Sequence, residues 1–114
     1  MTDLVQQSLE NGLLTITMNR PERRNALSPE LSAGLLEAAR RAAEDHDVRA
    51  VLLRGAGGTF CVGGDVKSMA AGRAPLPFEA KRVNLRKGME VSRILHEMPK
   101  PVVAQIDGAA AGAG

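Results

Sequence analysis

The chain has no tryptophan or tyrosine, and its only aromatic residues are two phenylalanines. Nucleic-acid surfaces use stacking aromatics or a clustered basic face. Here the 15 basic and 13 acidic residues are interspersed and leave a net charge of +2, so nucleic-acid binding is not expected. A single cysteine, Cys61, excludes an internal disulfide, and the two histidines, His46 and His96, stand apart from it, so no metal-ligand spacing appears. With one cysteine a reducing compartment is expected, by default the cytoplasm. Long apolar runs are also missing. The opening MTDLVQQSLENG has neither the basic start nor the hydrophobic stretch of a leader or membrane span, and no membrane association is expected. At 114 residues the chain has room for one domain or a piece of one.

What is present is periodicity. In LVQQSLENGLLTITMN the pair Asn11-Gly12 separates two alternating runs and predicts a β-hairpin. In its second arm Leu14, Ile16 and Met18 should face a core. Ser28, Pro29 and Glu30 form a helix start: a capping hydroxyl, a proline whose missing N–H costs nothing in the first turn, and an acid at the positive end. Leu31, Leu35, Ala38, Ala39 and Ala42 then mark one face of a helix running to about Asp45. VRAVLLRG predicts a strand covered on both faces. Strand, helix, strand in this order predicts a crossover and a partly parallel sheet. A short helix is expected from Asp65 to about Ala71 and a surface loop over GRAPLPFEAKR. The positions of Leu85, Met89, Ile94, Leu95 and Met98 predict a long amphipathic helix from Phe78, stopped by Pro99. Val102, Val103, Ala104 and Ile106 predict a last strand.

One local design occurs twice. AVLLRGAGGTFCVGGDVKSM and VVAQIDGAAAGAG each place a glycine-rich turn directly behind an apolar strand. Small residues there let a ligand atom approach free backbone N–H groups. Two such donors converging on one oxygen would form an oxyanion hole. Glycine content alone also fits turns that are merely tight. The nucleotide-binding pattern G-x-G-x-x-G is incomplete, since Gly55-Ala56-Gly57 is followed by Gly58, Thr59 and Phe60.

The segments NRPERRNALS, GTFCVGGDVKSM and KPVVAQIDGAAAGAG, in this order and at these intervals, resemble the enoyl-CoA hydratase/isomerase (crotonase) superfamily over the whole chain. The resemblance implies an α/β fold of the ββα-repeat (spiral) type. Residues 1–114 would be the N-terminal part of such a domain, apparently truncated. It implies an acyl-CoA thioester substrate, with coenzyme A as part of that substrate and no separate cofactor or metal. Hydratase (lyase) or isomerase chemistry in fatty-acid metabolism would follow, in homotrimers or hexamers.

Carried onto matching positions, the resemblance implies that the backbone N–H groups of Gly64 and Ala113 hold the thioester oxygen. It further implies that Arg24 and Ala26 lie along coenzyme A, and that Val62, Gly63, Asp65, Val66 and Lys67 line the substrate. For Arg20, Arg23 and Arg24 a solvated charged loop is the alternative. Cys61 reads as a small buried residue, Asp65 as a helix cap, and His46 and His96 as structural or exposed. Met69 and Met89 could line an acyl pocket or belong to a core. In the resembled hydratases the acid/base carboxylates follow the second glycine turn, beyond Gly114. The 114 residues alone are therefore expected to be nearly inactive as a hydratase, and a non-catalytic acyl-CoA-binding or subunit-pairing protein is the alternative. The turn Gly112-Ala113-Gly114 departs from a common run of three glycines, and Asp107 stands where asparagine is frequent. An alanine keeps its N–H, so the donor itself would survive.

Overall fold

Asn11 and Gly12 both take positive φ, 51° and 84°, which matches a two-residue turn to the twist of the flanking strands. They join β1 (Val5–Glu10) to β2 (Leu13–Met18) as the antiparallel hairpin expected from the sequence. The structure is a computed structural model that describes residues 3–64 and 78–114. The remaining elements are α1 (Pro29–Glu44), β3 (Ala50–Gly55), α2 (Phe78–Glu97) and β4 (Val102–Gln105), with short 3-10 turns at Pro21–Arg23 and Ala56–Gly58. The strands form one sheet in the order β1-β2-β3-β4, in which β2, β3 and β4 are mutually parallel. The expected helix over 65–71 lies outside the described residues. Residues Phe78 to Arg82, the end of the expected surface loop, belong to α2.

Alternation along β2 buries Leu14, Ile16 and Met18. α1 packs over β1 and β2 by the stripe read from the sequence, with Leu31, Leu35, Ala38, Ala39 and Ala42 all buried. Its start is fixed by Ser28, whose Oγ accepts a hydrogen bond from the Leu31 N–H at 3.1 Å. Its far end is held by Lys100, whose Nζ donates to the carbonyls of Ala42 (2.6 Å) and Asp45 (2.8 Å). A cation there complements the negative end of the helix dipole and ties the approach to β4 to the crossover helix. α2 packs against α1 and brings Val91, Ile94, Leu95 and Met98 to the same core.

Three expectations are corrected. The apolar content of β3 suggests cover on both faces, yet Leu52 and Leu53 are only half-buried. Leu53 leans on the core, and Leu52 points to the other face of the sheet, over which no described helix packs. Met89 is 60% exposed, which overturns only its reading as a core residue, because it precedes Ile94 by five residues, more than a third of a turn off the packed face. β4 stops at Gln105, so Ile106 lies past the strand, and it and Val103 are exposed. Among the described residues no helix is long and apolar enough to cross a membrane.

Replacing Ser28 by alanine is expected to lower unfolding free energy by about 1 kcal/mol, as other lost caps do. Lys100→Met should cost a similar amount, about 1 kcal/mol, through the uncompensated carbonyls at the other end of α1. The two groups share no partner, so denaturant titration of the double variant should return the sum to within about 0.5 kcal/mol. A clearly smaller sum would mean that the ends of α1 are not independently fastened.

Candidate functional site at the carboxyl ends of the parallel strands

Because β2, β3 and β4 run parallel, the segments that leave them, 19–28, 56–64 and 106–114, emerge at one end of the sheet. Open α/β sheets bind ligands at that end. The three segments are stitched to each other through main-chain groups. Leu27 N–H donates to Gly63 O at 2.7 Å, and Val62 N–H to Arg24 O at 3.3 Å. Phe60 N–H donates to Asp107 O (2.8 Å), Cys61 N–H to Ala109 O (3.1 Å) and Ala111 N–H to Cys61 O (3.0 Å). Single parallel bridges result, Leu27 with Gly64 and Cys61 with Ala110.

Gly63 sits where the second and third segments touch. Its φ is +97°, and a Cβ built there would come 2.8 Å from Ala111 O and 3.5 Å from the Ala113 nitrogen. Gly112, also at positive φ (55°), would bring a Cβ to 3.9 Å from the Gly63 α-carbon. The glycine at 63 is thus required by protein packing itself, whatever approaches from solvent. Gly64 is half-buried and Ala113 exposed. Neither of their N–H groups donates to an acceptor among the described residues. Two unengaged donors therefore flank the Gly63 α-carbon, one in the peptide that follows it and one across the contact.

The other residues singled out in the sequence divide as follows. Arg24 takes a left-handed backbone (φ 51°), is exposed, and its guanidinium has no hydrogen-bond or ion-pair partner among the described residues. Ala26 is buried, with its carbonyl accepting from Arg20 Nη1 at 3.0 Å. Val62 is half-buried beside Arg24. Asp65, Val66, Lys67 and Met69 lie outside the described residues. His46 and His96 are exposed. Among the described residues no three His, Cys, Asp or Glu side chains are grouped to hold a metal ion. Surface depressions of about 680 and 640 Å³ lie along the outer side of α1 and beside β1, and share no lining residue with the three segments.

Two residues matter more than their types announce. Asn25 is fully buried at φ 57°, and its side chain makes three hydrogen bonds. Only its place in the NRPERRNALS segment could have flagged it. Cys61 is buried where all three segments meet. Its Sγ donates to Asn25 O (3.1 Å) and lies 3.5 Å from the Gly63 N–H. Burial pushes its thiol pKa up, against a smaller opposing effect of the Gly63 N–H, so the group stays protonated and able to donate.

Comparison with known proteins follows the same segments. The family model for enoyl-CoA hydratase/isomerase matches residues 8–114. The 1,2-epoxyphenylacetyl-CoA isomerase of Escherichia coli (strain K12) is 36% identical over 115 residues, covering 100% of this chain and 44% of that protein. A probable enoyl-CoA hydratase, echA14, of Mycobacterium tuberculosis is 42% identical over 113 residues, covering 98% and 42%. The crystal structure of an enoyl-CoA hydratase/isomerase from Xanthobacter autotrophicus Py2 superposes with a TM-score of 0.85 at 35% identity, covering 95% of this chain and 40% of that one. The chain spans less than half the length of each of these proteins.

Gly63→Ala should destabilise the protein by about 2 to 3 kcal/mol, since it combines positive φ with a Cβ against a fixed carbonyl. Chemical denaturation reads this, and a loss below about 0.5 kcal/mol would mean the two turns do not abut. Cys61 supplies a pH test. A thiol whose folded pKa is raised contributes stability that is complete below its ordinary value of 9.0 and is lost as pH rises toward the folded value. The stability advantage of the native protein over Cys61→Ser should therefore shrink above about pH 9. An advantage that grows with pH would contradict the burial.

Proposed function

The chain belongs to the enoyl-CoA hydratase/isomerase family, and we propose that it binds an acyl-CoA thioester and stabilises the derived enolate between the N–H groups of Gly64 and Ala113. The observation that carries this reading is that the N–H groups of Gly64 and Ala113, which have no acceptor among the described residues, both lie beside Gly63. Loss of a proton from the thioester α-carbon, or addition to its conjugated double bond, moves negative charge onto the carbonyl oxygen. Donors already fixed in place stabilise that charge without reorganising, and removal of one typically costs about 3 to 4 kcal/mol at the transition state. Asp107 stands outside this role, since its carbonyl accepts from Phe60 and its carboxylate from Gln105.

Coenzyme A would lie along the loop after β2, with the guanidinium of Arg24, which has no partner among the described residues, suited to a phosphate. Ala26, Val62, Gly63, Asp65, Val66 and Lys67 complete the proposed contacts, and the carbonyl oxygen needs no cofactor or metal besides the two N–H groups. Of the described carboxylates, Glu90 and Glu97 pair with Arg93, and Asp45 with Arg41. The reading is therefore enolate stabilisation, the step shared by hydration and isomerisation, with the general acid and base unassigned. Assembly into trimers or pairs of trimers belongs to the same proposal.

Titration calorimetry with acetoacetyl-CoA, free coenzyme A and NAD tests the substrate class. Acetoacetyl-CoA should bind at least about tenfold more tightly than coenzyme A, as expected for a carbonyl held by two charge-assisted donors. NAD should not bind. Ala113→Pro deletes one N–H and should erase most of the tenfold preference while leaving coenzyme A affinity nearly unchanged. Equal affinity of the native protein for acetoacetyl-CoA and coenzyme A would refute the proposed hole.

A further inference from the structure

The loop after β2 does more than lie beside the Gly63-Gly64 turn. Asn25 Oδ1 accepts from the Arg20 N–H at 2.8 Å, and its Nδ2 donates to Ala56 O (3.0 Å) and Thr59 O (2.8 Å). The amide thus clamps the start of the loop to both ends of the 3-10 turn that follows β3. From that anchor the contacts proceed in register. The carbonyl of Asn25 accepts from Cys61 Sγ, that of Arg24 from Val62 N–H, and Leu27 N–H donates to Gly63 O at 2.7 Å. Gly63 O and the Gly64 N–H belong to one planar trans peptide and point in opposite directions. Whatever holds the carbonyl therefore aims the N–H.

We propose that Asn25 is a positioning residue that sets the direction of the Gly64 N–H, acting through the Leu27–Gly63 hydrogen bond. Asn25 touches neither substrate nor reacting atoms. Its amide fixes the register in which 24–27 grips 61–63, and the bond from Leu27 also polarises the Gly63–Gly64 peptide, strengthening its N–H as a donor. Because Arg24 and Ala26 lie in the same segment, seating coenzyme A and aiming the carbonyl donor become one mechanical event. A wrong aim of about 1 Å at such a site can cost two orders of magnitude.

This inference rests on the acyl-CoA reading above, and the test separates the two. Acetoacetyl-CoA ionises to an enolate with its own ultraviolet absorption band, its proton passing to solvent, when its carbonyl oxygen is held by donors. The fraction of bound ligand in that form is the absorbance of the band at saturation divided by the amount of ligand bound, measured by equilibrium dialysis, so that changes in affinity or in the amount of folded protein cancel. Native protein should show the enolate band. Asn25→Gly keeps the left-handed backbone accessible and deletes the amide. It should still saturate with acetoacetyl-CoA, with an enolate fraction lower by about tenfold or more. Asn25→Asp, equal in size but unable as a carboxylate to donate to Ala56 and Thr59, provides a second variant and should behave likewise. An undiminished band in either saturated variant overturns the role of Asn25 while leaving the acyl-CoA reading intact. Absence of the band in saturated native protein overturns the acyl-CoA reading itself.

Discussion

Parallel strands that end together leave their last carbonyls and the first N–H groups of their loops without ladder partners, and buried polar groups of this kind must be paired. In this protein the three segments that follow β2, β3 and β4 satisfy one another. The exchange converges on the fully buried amide of Asn25, which uses both of its donor hydrogens and its acceptor. Everything about the candidate site depends on that mutual pairing. It brings Gly63 against the Gly112 turn and leaves the N–H groups of Gly64 and Ala113 outside the exchange.

Beneath this layer the apolar contacts have a different task. Leu14, Ile16, Leu31, Val48 and Val51 are essentially inaccessible and fix where the strands end. They say nothing about how the loops beyond those ends are aimed. Burial is non-directional, whereas a hydrogen bond has an angle. The surface ion pairs of Arg93 with Glu90 and Glu97 are exposed and settle neither question. Stability and alignment therefore rest on different residues, with the Ala-rich face of α1 under the sheet and a few main-chain bonds at its end.

Local patterns were legible. The Asn11-Gly12 turn, the alternation of β2, the Ser28 cap and the stripe of α1 all involve residues within a turn or two of each other, and each appears as read. Patterns that needed a partner were not. The half-exposure of Leu52 and Leu53 depends on what packs over β3, and the exposure of Met89 on which side of α2 faces α1. Gly63 is the clearest case at the site. The sequence suggested a glycine kept small for a ligand, and the structure adds the Ala111 carbonyl as an internal reason. Asn25, one letter within a longer resemblance, carried no signal of its three bonds.

By itself the amino-acid sequence determined the order of elements, the position of the crossover helix, the family and the two glycine-rich turns. Periodicity, capping chemistry and motif spacing are properties of neighbours along the chain. Only the tertiary structure decided that those two turns touch, that Gly63 is hemmed in by Ala111 and Ala113, and that a loop some forty residues earlier grips the first turn. Those are contacts between segments far apart in sequence. They exist because a parallel sheet delivers its strand ends to one place, where unpaired backbone groups must find each other.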